Sequence, residues 1–371
     1  MATSRTKELP LVDVSGSPAQ RGFMYGQRAA QRIVLGIENY KAIFACSGVP
    51  WSSARRIAAG FEAELREREP DLLTELEAIA EGAKVHLDEV LALNCRTEIM
   101  YRQSTKVDLP TDGCTGIIAL PITTQGGRLL HAQNWDWQDE CSETAIVLRI
   151  RYDNGLVLLT QTEAGILARC GLNNRGVALT GNFLKSDRDN SPGGSPIPFI
   201  RRRIMEQSNL SDAIEVVYNA PKSFSTNLMI SHADGDGINL ETVPGDIFPL
   251  QPDKGLLVHA NHFESAAAQA KVVDHGVAIA PSTLYRGRRV SEALEPHRGR
   301  LSIDHIKTAL GDRLGAPHGV CADPVEELDG SVYSTVASIV MDVSAGTMQV
   351  AVRPYAEHTY AHYDLETPRC Y

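Results

Sequence analysis

The texture of the chain changes at one point, and that change restricts its fold more than any other feature. Before residue 113 apolar side chains recur with the period of a helix. Ile33, Ile37, Tyr40 and Phe44 share one face, and Leu72, Leu76 and Ile79 form a second stripe behind Pro70, a residue suited to a first helical turn. A third helix is predicted from about Leu87, carrying "EVLALNCRTE", and strand signals are nearly absent up to this point. From Cys114 onward the apolar residues fall into short β-rich runs broken by Gly and Asn turns. "TGIIALPI" and "GRLLHAQNW", separated by "TTQGG", read as one hairpin, and "TAIVLRIRY" and "LVLLTQT", separated by "DNG", read as another. Six more runs, from "VALTGNFL" to "GTMQVAVRP", extend the β content. Helices return at about 197 to 219 and 282 to 312, and "KSDRDNSPGGSPIP" looks like a loose linker. Hairpins with helices grouped before and between them predict an α+β fold, with sheets packed face to face and helices outside.

The break at 113 to 114 could mark a domain boundary. The segment before it carries too many apolar stripes to stand alone, so a single unit over residues 1–371 is expected, with a helix-rich segment over 1–113 and a β-rich segment over 114–371. At 371 residues and 43% hydrophobic content the chain can bury a large core. Its net charge of −10 is spread over helical stretches such as "FEAELREREPDLLTELEAIAEG", which argues against nucleic acid as a partner. No window is apolar enough to span a membrane, and "MATSRTKELPLVDVSG" lacks the apolar core of a secretion signal, so a cytoplasmic location is expected. Seven widely spaced cysteines with no CxxC pair are read as reduced thiols, with no metal site.

The stretch "DGCTG" at the break admits several readings: a turn, a buried thiol, a metal ligand or a nucleophile. As a nucleophile, Cys114 needs activation, because a thiol with a pKa of about 8.5 is mostly protonated at neutral pH. A histidine could supply the base, His259 or His262 of "HANH" being the candidates. The residue's own α-amino group, with a pKa of about 7.7 to 8.0, could do so once the bond to Gly113 is cut. Gly113, lacking Cβ, lets that bond bend toward the thiol. The two histidines, if on one strand, would point to opposite faces and could not share a metal.

"DGCTG", "QNWDW", "TEAGIL..CGLNNRGVALTGNFL", "LETVPG" and "LVHANHF", in that order, together resemble the isopenicillin N acyltransferase (acyl-CoA:6-aminopenicillanic acid acyltransferase) family. These are cysteine N-terminal-nucleophile (Ntn) hydrolases made as self-cleaving precursors. "GSPAQRGFMYG" and "LNCRTE" extend the resemblance, which runs from about residue 15 to beyond 340. It implies an αββα sandwich, autoproteolysis between Gly113 and Cys114 into α and β fragments, and amide hydrolysis or acyl transfer through a Cys114 thioester. Asp136 then matches the aspartate that orients the new amino terminus, and Asn261 the asparagine whose amide donates to the oxyanion. Further donors are expected from the backbone at Thr115 and Gly116 or from "TEAG". Thr115, Glu163 and Ser331 are secondary candidates. The resemblance departs at Ser331–Val332, where the penicillin-forming enzymes carry a Ser-Arg pair, and at Val243, where they carry Ser. That makes a penicillin substrate doubtful and leaves Cys114, Asp136 and Asn261 untouched.

The expected substrate is a small-molecule amide or an acyl thioester, a coenzyme A thioester being the candidate donor; no cofactor is expected, and homo-oligomerisation is left open. Arg201, Arg202 and Arg203 form a basic cluster that would serve either as a phosphate contact or as a solvated helix face. An unprocessed Cys–His hydrolase and a silent small-molecule binder are the alternatives.

Overall fold

The computed structural model describes residues 8–102, 113–327 and 330–366. Two sheets form its centre. The first has eight strands in the order Leu11–Ser15, Ala145–Arg151, Val157–Glu163, Cys170–Asn173, Val177–Thr180, Thr226–His232, Asp236–Val243 and Asp246–Leu250. The second runs Leu256–His259, Gly113–Ala119, Leu130–Gln138, Val332–Asp342, Thr347–Val352 and Ala361–Asp364, with the short Val325–Glu326 strand pairing with Val332–Asp342. Every pairing is antiparallel except Leu11–Ser15 with Ala145–Arg151. Both hairpins read from the sequence form, as do the helices Ile197–Met205, Leu210–Asn219, Thr283–Leu294 and Ile303–Leu310.

Alternation along the strands decides what lies between the sheets. On Leu130–Gln138 the side chains of Leu130 and Ala132 pack outward with Val290, Leu294, Ile306 and Leu310 of the two C-terminal helices. His131 and Gln133 point the other way and cross to the first sheet. The His131 ring bridges Ser231 Oγ (2.8 Å) and Thr180 Oγ1 (2.9 Å), and burial lowers its pKa to about 3, so it is a neutral strut. Gln133 Nε2 donates to Gly181 O (2.7 Å) and Asn182 Oδ1 (2.8 Å). Gly116 lies where a Cβ would overlap Met229 Sδ, which is how closely the sheets approach. On the far side of the first sheet lie Pro18–Cys46, Pro70–Ala83 and Ile197–Met205. The layer order is therefore helix, sheet, sheet, helix: an αββα sandwich.

The long helix Pro18–Cys46 starts from a capping box, Ser17 with Gln20. It crosses Pro70–Ala83 so tightly that a Cβ on Gly22 or Gly26 would overlap the backbone oxygens of Glu75 or Ile79. The glycines of "RGFMYG" are therefore packing residues. Ile33, Ile37, Tyr40 and Phe44 are all buried, as their spacing predicted.

Three expectations are corrected. A strand, Leu11–Ser15, precedes the helices: Val12 and Val14 face the core, and the five-residue alternation was too short to register. The supposed loose linker is tied down. Asp189 Oδ1 accepts from Ser225 N (2.7 Å) and Oγ (2.5 Å), and Gly194 N donates to Ser223 Oγ (3.0 Å). Neither reading of the basic cluster holds for two of its members. Arg202 is fully buried and donates to Glu75 Oε1 (2.8 Å), Leu167 O (2.9 Å) and Tyr152 Oη (2.7 Å). Arg203 pairs with Glu69, Asp71 and Glu206. Carboxylates already hold both, which leaves no fork for a phosphate.

Glu75 also accepts from Arg21 Nε (2.5 Å), so one buried carboxylate joins three helices. Removing it leaves buried guanidinium charge without its main counter-ion, a class of change that costs about 3 to 5 kcal/mol. Glu75→Ala is expected to lower the urea midpoint accordingly, and Arg202→Met in the same chain should recover some of the loss; equal midpoints for wild type and Glu75→Ala would refute this reading.

Candidate active site

Cys114 is the second residue of its strand and pairs in register with Trp135, while Gly113 pairs with Asp136. Alternation sends the Cys114 thiol into the space between the sheets and sends Thr115 and Asp136 to the helix side. The main chain of Cys114 is clasped. Its N–H donates to Asn261 Oδ1 (2.7 Å), and its carbonyl accepts from Arg286 Nη1 (2.7 Å). Arg286, from the helix Thr283–Leu294, also donates to Thr115 Oγ1 (2.9 Å) and, through Nη2, to Asn261 Oδ1 (2.8 Å). Asp136 Oδ2 lies 3.9 Å from the same guanidinium, and Asp136 Oδ1 accepts from Thr335 Oγ1 (2.6 Å). The structure thus brings Gly113, Cys114, Thr115, Asp136 and Asn261 together, around an arginine that carried no sequence signal.

Asn261 is held from every side. Its N–H donates to Thr283 Oγ1 (2.7 Å) and its Nδ2 to Phe183 O (2.9 Å). Two donors on Oδ1 and an acceptor on Nδ2 assign the amide orientation. The loop it sits on is braced by the remaining motifs. Asn182 of "GNFL" donates to both His259 O and Ala260 O (2.9 Å each), and is itself fixed by Gln133 of "QNW". Glu241 of "LETVPG" accepts from Glu264 N (2.6 Å) and Ser265 N (3.2 Å) and meets His259 Nε2 at 2.9 Å.

Several candidates are corrected here. The strand ends at His259, so His259 and His262 do not lie on one strand. His259 is bound between Glu241 and the Ala260 carbonyl; burial pulls its pKa down, but the hydrogen bond to Glu241, the nearby charges of Glu264 and Glu241 and the Ala260 carbonyl together leave it raised. His262 meets Thr283 Oγ1 (2.9 Å), and burial lowers its pKa. Both rings serve partners other than the thiol. The "TEAG" backbone offers no donors, since Ala164 N, Gly165 N and Ile166 N donate to Thr144 O, Tyr25 Oη and Glu163 O. From Gly116 onward the Cys114 strand has a neighbour on each side, which commits that backbone to the sheet. Glu163 accepts from Arg96 Nη1 (2.5 Å) and Tyr40 Oη (3.0 Å), a buried structural pair. Ser331 lies just before the strand that carries Thr335, with its carbonyl accepting from Glu327 N.

Arg169, which reaches the thiol, lines a small cavity together with Arg96, Ile166, Phe183, Arg201 and Thr226, among others. Arg169 lies over Trp135 (4.1 Å to the ring centre), with Nη2 3.7 Å from Cys114 Sγ; Arg96 lies over Trp137 (5.1 Å). "LNCRTE" builds this wall. Asn94 clamps Gly165 O and Leu167 N, Arg96 pairs with Glu163, and Glu98 Oε1 accepts from Ile197 N.

The chain matches the family "Acyl-coenzyme A:6-aminopenicillanic acid acyl-transferase" over residues 123–355. It is 30% identical over 260 residues to the acyl-coenzyme A:6-aminopenicillanic-acid-acyltransferase 40 kDa form of Emericella nidulans, covering 68% of each chain. The chain belongs to this family. By its description this is a family of acyltransferases. Similar solved structures include the Caenorhabditis elegans ortholog of N-acylethanolamine-hydrolyzing acid amidase, at 15% identity and TM-score 0.43, over 62% of this chain and 93% of that one. A variant of conjugated bile acid hydrolase from Clostridium perfringens matches at 12% identity and TM-score 0.47, over 68% and 92%. Penicillin V acylase from Agrobacterium tumefaciens matches at 14% identity and TM-score 0.41, over 67% and 84%.

Burial pushes the Glu98 carboxyl of this family member from 4.5 up to about 7. A raised folded-state pKa contributes stability below the unfolded value that is lost as pH rises toward the folded one. The chain should therefore lose stability, on the order of 3 kcal/mol, between about pH 4.5 and 7 through this group. Glu98→Gln keeps the acceptor for Ile197 N and should flatten that slope in urea titrations; a slope unchanged by the substitution would show that Glu98 is not the group responsible.

Proposed function

We propose that this chain is a self-processing cysteine Ntn amidohydrolase or acyltransferase, acting on a small N-acyl substrate through a thioester on Cys114. The observation that carries the reading is the clasp on the Cys114 main chain. Asn261 Oδ1 and Arg286 hold the peptide on both sides of Cα, while the thiol projects into the space between the sheets, where Arg169 Nη2 lies 3.7 Å away.

In the first step Cys114 Sγ attacks the Gly113 carbonyl, and the amide nitrogen leaves as the Cys114 amine. The resulting thioester is hydrolysed by water to a Gly113 carboxylate and a free thiol. Glycine is also what packing favours at 113, where a Cβ would overlap Tyr333 Oη and crowd Asp136 Oδ2. The nitrogen already held by Asn261 Oδ1 is then an α-amine, a base of near-neutral pKa two bonds from the thiol-bearing carbon. In turnover it takes the thiol proton as Sγ attacks the substrate carbonyl, then passes that proton to the leaving amine. Water yields an acid and a second amine yields a new amide.

Asp136 and Arg286 hold opposite charges beside the new terminus and set its orientation. Asn261 Nδ2, which donates to Phe183 O at rest, is the donor assigned to the oxyanion. Donors of this kind are worth about 3 to 4 kcal/mol of barrier, or about 10² to 10³ in rate.

Denaturing mass spectrometry of the wild-type chain should show fragments ending at Gly113 and beginning at Cys114, and Cys114→Ala should stay whole. Cleavage of Cys114→Ala at 113, or an active chain that stays intact, would overturn self-processing. Asn261→Ala should lower kcat by about 10² to 10³ with a far smaller effect on stability; unchanged turnover would remove Asn261 from the oxyanion role.

A further inference from the structure

We propose that the substrate carries a carboxylate close to the scissile amide, and that Arg169 is the residue that recognises it. This rests on Cys114 being the nucleophile and adds what the cavity lined by Arg169 selects. The cavity is small, with about 30 Å³ open to the centre of a water molecule. A volume of that size takes a couple of waters or one carboxylate.

Three guanidinium groups line it. Arg96 is balanced by Glu163, and Arg201 reaches toward Gly181 O (3.5 Å). Arg169 differs. It is 4% exposed, its Nε has no hydrogen-bond partner among the described residues, and no ion pair to it occurs among them. Its polar neighbours are the two sulfurs of Cys114 (3.7 Å) and Cys170 (3.9 Å). Its place over Trp135 offsets only a fraction of the cost of burying such a charge. A buried guanidinium that has no carboxylate partner among the described residues, lines a cavity and lies 3.7 Å from the reacting sulfur is suited to an anion, which would supply its counter-charge. Glu98, the acid next to this wall, is spoken for by Ile197 N.

Two reagents of nearly equal size test this without knowing the substrate. Iodoacetate carries a carboxylate and iodoacetamide does not. In each case the Cys114 thiolate forms a bond from sulfur to the methylene carbon as iodide leaves, so the rate ratio cancels the amount of thiolate. Labelling of Cys114 is followed by peptide mass spectrometry, with free cysteine as reference.

Relative to that reference, Cys114 should favour iodoacetate by about tenfold or more. Arg169→Gln should abolish the preference, and Arg169→Lys should keep some of it. A wild-type ratio equal to that of free cysteine overturns the proposal. So does a variant that slows both reagents equally, which would make Arg169 a partner of the thiol alone, and so does failure of both reagents to reach Cys114. If Arg169→Gln does not fold, the wild-type ratio and Arg169→Lys carry the test. The same spectra report cleavage at 113, so an intact chain that still prefers iodoacetate would count against self-processing and not against anion recognition.

Discussion

The hydrogen bond from the Cys114 N–H to Asn261 Oδ1 is the contact on which the rest of the site depends. It ties the start of one strand to a loop that lies 147 residues further along the chain. Such a loop would not hold a side-chain amide in one orientation unaided. It does so because Asn182, Glu241 and Thr283, from three other regions of the chain, each satisfy a piece of its backbone. Each is a buried polar group, and each would be expensive to leave unpaired, so the loop has one low-energy arrangement.

The same logic explains how the sandwich tolerates so much buried charge. Arg286 sits among Asp136, Asn261 and the Cys114 carbonyl, Arg202 against Glu75, Arg96 against Glu163. In each case a guanidinium fork meets oxygen acceptors fixed by secondary structure. The sheets contribute neutral struts, His131 and Gln133, where a charge would have no partner. Arg169 departs from this pattern, and it sits next to the thiol.

Much of the architecture was legible in the residues. The helical stripes, both hairpins and the late helices form where the periodicity places them, because their patterns are long and their turns carry Gly or Asn. Leu11–Ser15 was not legible: it is held by pairing with a strand more than a hundred residues away, and its own pattern is short. The "KSDRDNSPGGSPIP" stretch misled for the converse reason. Its composition is that of a linker, but Asp189, Ser186 and Gly194 find partners in the 223–225 segment.

From the sequence alone came the ordered set of short motifs, the Gly-Cys at a change of texture, and with them the family and the layers of the fold. What only the tertiary structure decided is what those motifs do. "QNW", "GNF", "LETVPG" and "HANH" carry one device, the brace around Asn261, because their polar groups satisfy one another across the two sheets. "LNCRTE" and the glycines of "RGFMYG" hold the helices that back the pocket. Arg286 and Arg169 stood in helix and turn sequences as ordinary basic residues. Their place at the main chain and at the sulfur of Cys114 follows from burial and from the direction each side chain takes, and neither is written in local spacing.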